Sequence, residues 1–342
     1  MSLRERTFER LRKSINGEPI DAHGVFNFYT YPFYHEVTKV PLDKYFSDPK
    51  LQLDIQVEVL DRLEGVGNPC PDVGSVAESN SFGAPIHFDA EGFISVSDMG
   101  IEDEDDVAEV SFKGVRGGEY MNFCLETLEY MVGHCPDRYR VNPPIVMGPF
   151  TVASQMCGPQ EFCVATLEDP DMVEALLDKV IDAEVAYMKE MEKILGSLHH
   201  ILVCDDISAF LSANGFEEYV MNTYDRLFAE FPNTQRWLHN DANAKHLAKF
   251  MPDCGFKAWQ YGPCMTGPEA AELTQNQVTL LGGFKPLELA KWSVEETEEK
   301  TNQLIDEFAG NQKLVISAMG SVNQVPVENL LKVLHVADER KI

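Results

Sequence analysis

The amino-acid sequence predicts an α/β fold, a (β/α)8 barrel, on three observations. The second half of the chain alternates six short apolar runs with amphipathic helical patterns. Two further strand–helix units fit upstream, and 44% of the 342 residues are apolar, enough to fill a large core. Parallel strands require crossover helices, so a succession of such units reads as a parallel sheet. Eight units is the number at which that sheet closes on itself.

In chain order, Gly24–Tyr29 is the first expected strand, with a helix over Leu51–Leu63 after it. Gly65–Val73 is the second, weaker because it holds two prolines. Between Ala84 and Asn142 the alternation breaks. Ala84, Ile86 and Phe88, then Phe93, Ser95 and Val96, flank Asp89-Ala90-Glu91-Gly92 as the arms of a β-hairpin would. The acidic stretch Glu102–Asp106 reads as a solvated loop. Residues 84–142 are thus expected as a β-hairpin insertion after the second strand, within a single domain spanning 1–342.

The remaining strands are Ile145–Phe150, His200–Ile207, Arg236–Asn240, Phe256–Tyr261, Val278–Phe284 and Lys313–Met319. The longest helix places Val173, Leu176, Val180, Ala183, Tyr187, Met191 and Ile194 on one face and opens on Asp169-Pro170, an N-cap followed by proline. Ser293-Val294-Glu295-Glu296 is a capping box.

The charge balance, 28 Lys+Arg against 56 Asp+Glu, gives −28. Such a surface repels phosphate backbones and anionic lipid, so no nucleic-acid or membrane partner is expected. Most of the acidity reads as a well-solvated surface. No run of 18 apolar residues occurs, and the first residues lack the apolar core of a signal peptide. The eight cysteines are scattered without a Cys-x-x-Cys pair, which reads as reduced thiols in the cytoplasm.

Barrel enzymes place their chemistry where strands end. That rule selects Asn27, Tyr29 and Tyr31 after the first strand and Asp72 and Glu78 after the second. Asp205-Asp206 ends the fourth, His239-Asn240-Asp241 the fifth, Gln260-Tyr261 the sixth and Met319-Gly320 the eighth. His239 and Asp241, two apart on a strand, point to the same side and can reach one ion or substrate. The plainer reading is a histidine held by its neighbour. Asp205 and Asp206 face opposite sides, one toward the strand-end mouth and the other toward backbone; both being structural is an equal alternative. Glu78 is a candidate acid–base group or metal ligand, against the commoner helix-surface role. The aromatic residues from Phe26 to Tyr34 either line a pocket for a flat ligand or belong to the core, the latter favoured for Phe26 and Phe28.

Several of these positions fall within a recognisable order. Gly148-Pro149-Phe150-Thr151-Val152-Ala153 followed by Gly158, Asp205-Asp206, His239-x-Asp241-x-Asn243, Gly282-Gly283-Phe284-Lys285-Pro286, and Met319-Gly320 followed by Val325-Pro326-x-Glu328-Asn329 span nearly the whole chain. In order and spacing the sequence resembles the superfamily of uroporphyrinogen decarboxylases and corrinoid (cobalamin)-dependent methyltransferases. The resemblance implies either loss of carboxyl groups from a tetrapyrrole or transfer of a methyl group to or from a cobalt corrinoid, the latter usually with zinc.

The decarboxylases meet their polyanionic porphyrin-like substrate with an arginine-rich segment, whereas Asn27–Tyr34 holds no Arg or Lys. Their aspartate after the second strand has only an off-register counterpart in Asp72, and their final-strand His stands here as Met319. The methyltransferases bind zinc through His-x-Cys and a second Cys; the aligned residues here are His239, Asp241 and Met319. A thioether is a poor partner for zinc, so a third ligand would come from Glu78 or Asp206. The leading expectation is a corrinoid-linked methyltransferase component. In it His239, Asp241 and Glu78 hold a metal, with zinc the candidate, and Asp205, Asp206 and Asp72 are the catalytic acids. Asn27, Tyr29, Tyr31, Gln260, Tyr261 and Met319 line the substrate. Expected partners are a small methyl donor or acceptor and a corrinoid protein, with a homodimer left open. The alternatives are a carboxy-lyase acting on a tetrapyrrole or smaller acid, and a non-catalytic corrinoid-binding barrel.

Overall fold

The expected alternation of strand and helix is present in the structure, a computed structural model that describes residues 1–342. Two compact units carry it. One comprises Met1–Val40, Asp54–Pro69 and Trp237–Ile342; the other comprises Pro41–Leu53 and Cys70–Arg236. Six strands run parallel, each inside or within a residue of a run anticipated from apolar periodicity.

The second unit opens its sheet structure with an antiparallel pair, β1 (Ile86–Phe88) and β2 (Ile94–Val96), in register Ile86 with Val96 and Phe88 with Ile94. The Asp89 carboxylate holds the turn by accepting the Glu91 and Phe93 N–H groups. The acidic stretch differs from expectation: Glu104–Glu109 is a helix, not a loop. Asp103 caps it by accepting the Asp106 N–H, the three acids of its first turn favour the positive end of the helix dipole, and Val107 is buried. β3 (Val146–Met147) and β4 (His200–Cys204) are parallel, Val146 opposite Val203. Between them runs helix Pro170–Leu195, whose start is fixed by the Asp169 side chain on the Met172 N–H and whose end is the left-handed Gly196. Its expected apolar stripe is buried from Val173 to Met191, and Ile194 is half-buried.

β5 (Gln235–Asn240) enters the first unit at Trp237 and is followed there by β6 (Phe256–Tyr261), β7 (Thr279–Phe284) and β8 (Leu314–Ala318). β6 pairs with β7 through Gln260 and Leu281, and β7 with β8 through Gly283 and Ser317. The Ser293 capping box opens helix Val294–Phe308 as expected. Gly24–Tyr29 reaches β8 by two isolated parallel bridges, Val25 to Ile316 and Phe28 to Ser321, and does not form a continuous strand. The intervening backbone of its partner turns through Gly320 at φ 135°, a conformation side chains resist, so pairing resumes only at Ser321. Gly65–Val73 forms no strand either. Pro69 and Pro71 have no N–H to give a ladder, and only a Val73–Ser75 bridge remains. No helix is long and apolar enough to cross a membrane.

Candidate functional site

Alternation along β5 puts Trp237 and His239 on one side, where each meets a ring from the Gly24–Tyr29 segment. Phe26 lies 6.0 Å from Trp237 and Phe28 4.9 Å from His239, centroid to centroid. His239 is 6% exposed, and its Nδ1 lies 2.7 Å from Gln260 Oε1 on β6. The other end of the Gln260 amide is surrounded by acceptors: Ala318 O at 2.8 Å, Gly320 O at 3.1 Å and Ser317 Oγ at 3.2 Å. The remaining imidazole nitrogen, Nε2, faces Asp241 Oδ2 at 4.0 Å. Asp241 is exposed and lies against Gly320, where a Cβ would stand 3.4 Å from its Oδ2. The strand end thus joins the two residues that their spacing had paired.

This pair suits a divalent ion. Imidazole nitrogen and carboxylate oxygen ligate zinc at about 2.0–2.2 Å, so two such atoms 4.0 Å apart can both reach one ion. The donor set is nitrogen and oxygen without thiolate, harder than the Cys-rich sets typical of structural zinc. Met319 is buried, and its N–H donates to Phe284 O.

The other residues read as substrate-lining fall into two groups. Asn27 Nδ2 donates to the Tyr29 hydroxyl, which donates onward to Val66 O, and Tyr29 stacks on Phe33. Burial raises the Tyr29 hydroxyl pKa, so it stays a neutral donor. Tyr31 is buried at the first turn of helix Tyr31–Thr38. Tyr261 follows Gln260 and therefore faces away from His239, with Trp259, whose ring it meets at 6.0 Å. Sequence reasoning treated Gln260 and Tyr261 alike; alternation from the register of β6 is the signal that separates them. It also assigned Phe28 to the core, although this half-buried ring lies beside His239.

The second unit holds the remaining predicted acids, Asp72, Asp205, Asp206 and Glu78. Gln52 brackets Asp72, accepting its N–H and donating to its carbonyl, while Asp72 Oδ1 accepts the Gly74 N–H. Asp205 is fully buried and takes the Thr151 N–H at 3.0 Å, the Thr151 hydroxyl at 2.6 Å and the Tyr224 hydroxyl at 2.8 Å. Gly148 admits this carboxylate, since a Cβ there would come within 2.3 Å of it. Burial lifts the Asp205 pKa to about 6, against the lowering by its hydroxyl donors. Asp206, half-buried, precedes the short turn Ile207–Phe210 without capping it through its side chain.

Glu78 is buried in helix Ala77–Phe82 and accepts the Met147 N–H at 3.1 Å. Desolvation raises its pKa to about 7. One buried acid went unread from the sequence. Glu184 sits on the apolar face of helix Pro170–Leu195 with neither oxygen hydrogen-bonded. Its position four residues after Val180 and three before Tyr187 was the available signal.

Fold and strand-end chemistry together define an α/β protein of the kind the sequence order suggested. The chain belongs to the uroporphyrinogen decarboxylase (URO-D) family, whose model matches residues 7–340. Among curated proteins it is 27% identical over 205 residues to methylated-thiol–coenzyme M methyltransferase of Methanosarcina mazei, covering 58% of this chain and 53% of that protein. It is 20% identical over 211 residues to methylcobamide:CoM methyltransferase of Methanosarcina barkeri, covering 59% and 60%. The matches therefore span only about half to three-fifths of those relatives' lengths. A solved structure described as a methyltransferase from Methanosarcina mazei superposes with a TM-score of 0.82 at 19% identity, over 99% of both chains. That likeness establishes the fold.

Proposed function

We propose that this protein is a corrinoid-linked methyltransferase component, moving a methyl group between a cobalt corrinoid and a small acceptor or donor in the cytoplasm. The observation that carries the reading is the His239–Asp241 pair at the end of β5, in a family member whose curated relatives transfer methyl groups. A divalent ion, zinc being the candidate, supplies Lewis acidity that lowers the pKa of an acceptor thiol. His239 Nε2 and Asp241 Oδ2 are the atoms assigned to hold it. Phe28, Tyr29 and Tyr31 are assigned to flank a flat or apolar ligand.

In transfer to a thiol, the thiol would release its proton to solvent, and the thiolate sulfur would form a bond to the methyl carbon as the cobalt–carbon bond breaks, with the electron pair staying on cobalt. A tetrapyrrole decarboxylase fits less well, because residues 25–34 contain no cation to meet a polycarboxylate. We read residues 1–342 as one (β/α)8 domain with 84–142 inserted after its second strand, the bridges from Val25 and Phe28 to the β8 segment supporting the first strand's place.

The test is anaerobic incubation of the zinc-supplied protein with methylcobalamin and coenzyme M or a simple thiol. Loss of the methyl–cobalt absorption should match thioether formed, and His239→Ala should slow both by roughly 100-fold or more. Absence of transfer to or from thiol, amine and methoxyl compounds by the wild type would overturn the proposal.

A further inference from the structure

Gln260 is itself out of reach of substrate, fully buried with both ends of its amide engaged. The direction of that amide follows from chemistry. Ala318 O and Gly320 O can only accept hydrogen bonds, so the end of Gln260 facing them is the NH2 group. The end facing His239 is then the carbonyl oxygen, which can only accept. A neutral imidazole has one N–H, and at 2.7 Å from Oε1 that N–H must be on Nδ1.

From this we infer that Gln260 is a positioning residue that fixes His239 in the Nδ1–H tautomer and presents Nε2 as a bare lone pair beside Asp241. The inference rests on the reading of His239 as a ligand only for its purpose; the tautomer follows from the hydrogen bonds alone. Nε2 and Asp241 Oδ2 then stand 4.0 Å apart as two acceptors with no proton between them, an arrangement favourable to a cation. The anchor is the irregular end of β8: Gly320, at φ 135°, supplies one of the carbonyls that orient the amide and also lies against Asp241. The free histidine side chain favours the opposite tautomer, so the protein's choice has a detectable consequence.

The ring nitrogens of His239 are to be read by long-range 1H–15N correlation spectroscopy of the metal-free full chain at mildly alkaline pH. His239→Ala identifies the signals. The wild type should show Nδ1 protonated and Nε2 bare; an Nε2–H form in the wild type would overturn the inference without any variant. Gln260→Met should move His239 toward Nε2–H, whereas Gln260→Glu, which keeps an acceptor, should hold the native tautomer. Zinc affinity, measured against a chromophoric chelator, should fall about 10- to 100-fold in Gln260→Met and be better retained in Gln260→Glu. An unchanged tautomer in folded Gln260→Met would refute the positioning role. A wild type that shows the expected tautomer and yet binds no zinc would refute the metal reading while leaving the positioning inference standing.

Discussion

The end of β5 in the first unit and the Glu78 and Glu184 carboxyl groups of the second handle buried polarity in opposite ways. Around His239 the orienting amide is fully engaged: Gln260 accepts from Nδ1 and donates into the β8 turn, while Asp241 remains exposed to solvent. In the second unit Asp205 is similarly satisfied by Thr151 and Tyr224. Glu78 has backbone donors alone, the N–H groups of Met147 and of Glu78 itself, and Glu184 has none. Full engagement fixes orientation, which a ligand needs. Burial displaces protonation whether engagement is full, as at Asp205, or incomplete, as at Glu78 and Glu184, because a carboxylate taken out of water is more costly than its neutral acid. The difference teaches that burial alone does not mark a site; the direction and number of hydrogen bonds do.

The largest effect expected from breaking the contrast is at Gln260. In Gln260→Met, Gly320 O and the His239 Nδ1 atom, whichever tautomer the ring takes, lose their partners, while Ala318 O keeps the Ser317 hydroxyl. Each buried group left unpaired costs about 1–3 kcal/mol, so the variant should lose about 4 kcal/mol in denaturant unfolding. A loss below about 1 kcal/mol would mean that water or a shifted backbone replaces the amide, and the network would not be the rigid element described here.

Glu78 offers the next test, with a defined pH signature. Its folded pKa is raised by burial from the ordinary 4.5 to about 7, the Met147 N–H pulling the other way. A raised pKa means that the folded state holds a proton the unfolded state has released. Stability from this group is therefore complete below about pH 4.5 and is lost as pH rises to about 7, a displacement worth about 3 kcal/mol. Glu78→Gln keeps an acceptor for Met147 and cannot ionise. It should be more stable than the wild type by about that amount at pH 8, with little difference at pH 4. Parallel stability curves for the two proteins from pH 4 to 8 would show that Glu78 is satisfied by a group other than the Met147 amide.

Much of this contrast was legible in the sequence, and the illegible part has physical causes. The six parallel strands and the Asp169 and Ser293 caps follow from local chemistry, which the chain writes within a few residues. The pairing of His239 with Asp241 follows from the two-residue repeat of a strand. The Gly65–Val73 strand failed because its prolines outweigh its apolar residues, and the Glu104–Glu109 helix was missed because a run of acids looks solvated until Asp103 is recognised as its cap. The role of Gln260 depends on where β8 turns, and no local pattern near residue 260 encodes Gly320. Glu184 was visible as a polar residue on an apolar stripe, but the attention given to strand ends passed over it.

Glu184 gives the smallest expected change and the sharpest distinction. Its carboxyl is buried with neither oxygen hydrogen-bonded, and burial together with the charges of Glu78 and Asp205 raises its pKa well above the carboxylate range. That direction favours the neutral acid, so the cost of its burial is chiefly that of an unpaired polar group. Glu184→Met, close in volume and apolar like Val180 and Met188 on the same helix, should stabilise the protein by about 2 kcal/mol. Removing the residue should leave zinc affinity at His239 unchanged, since nothing in the Gln260 network involves it. A destabilised variant would mean that this carboxyl has a polar partner of its own and is held in place as His239 is held by Gln260.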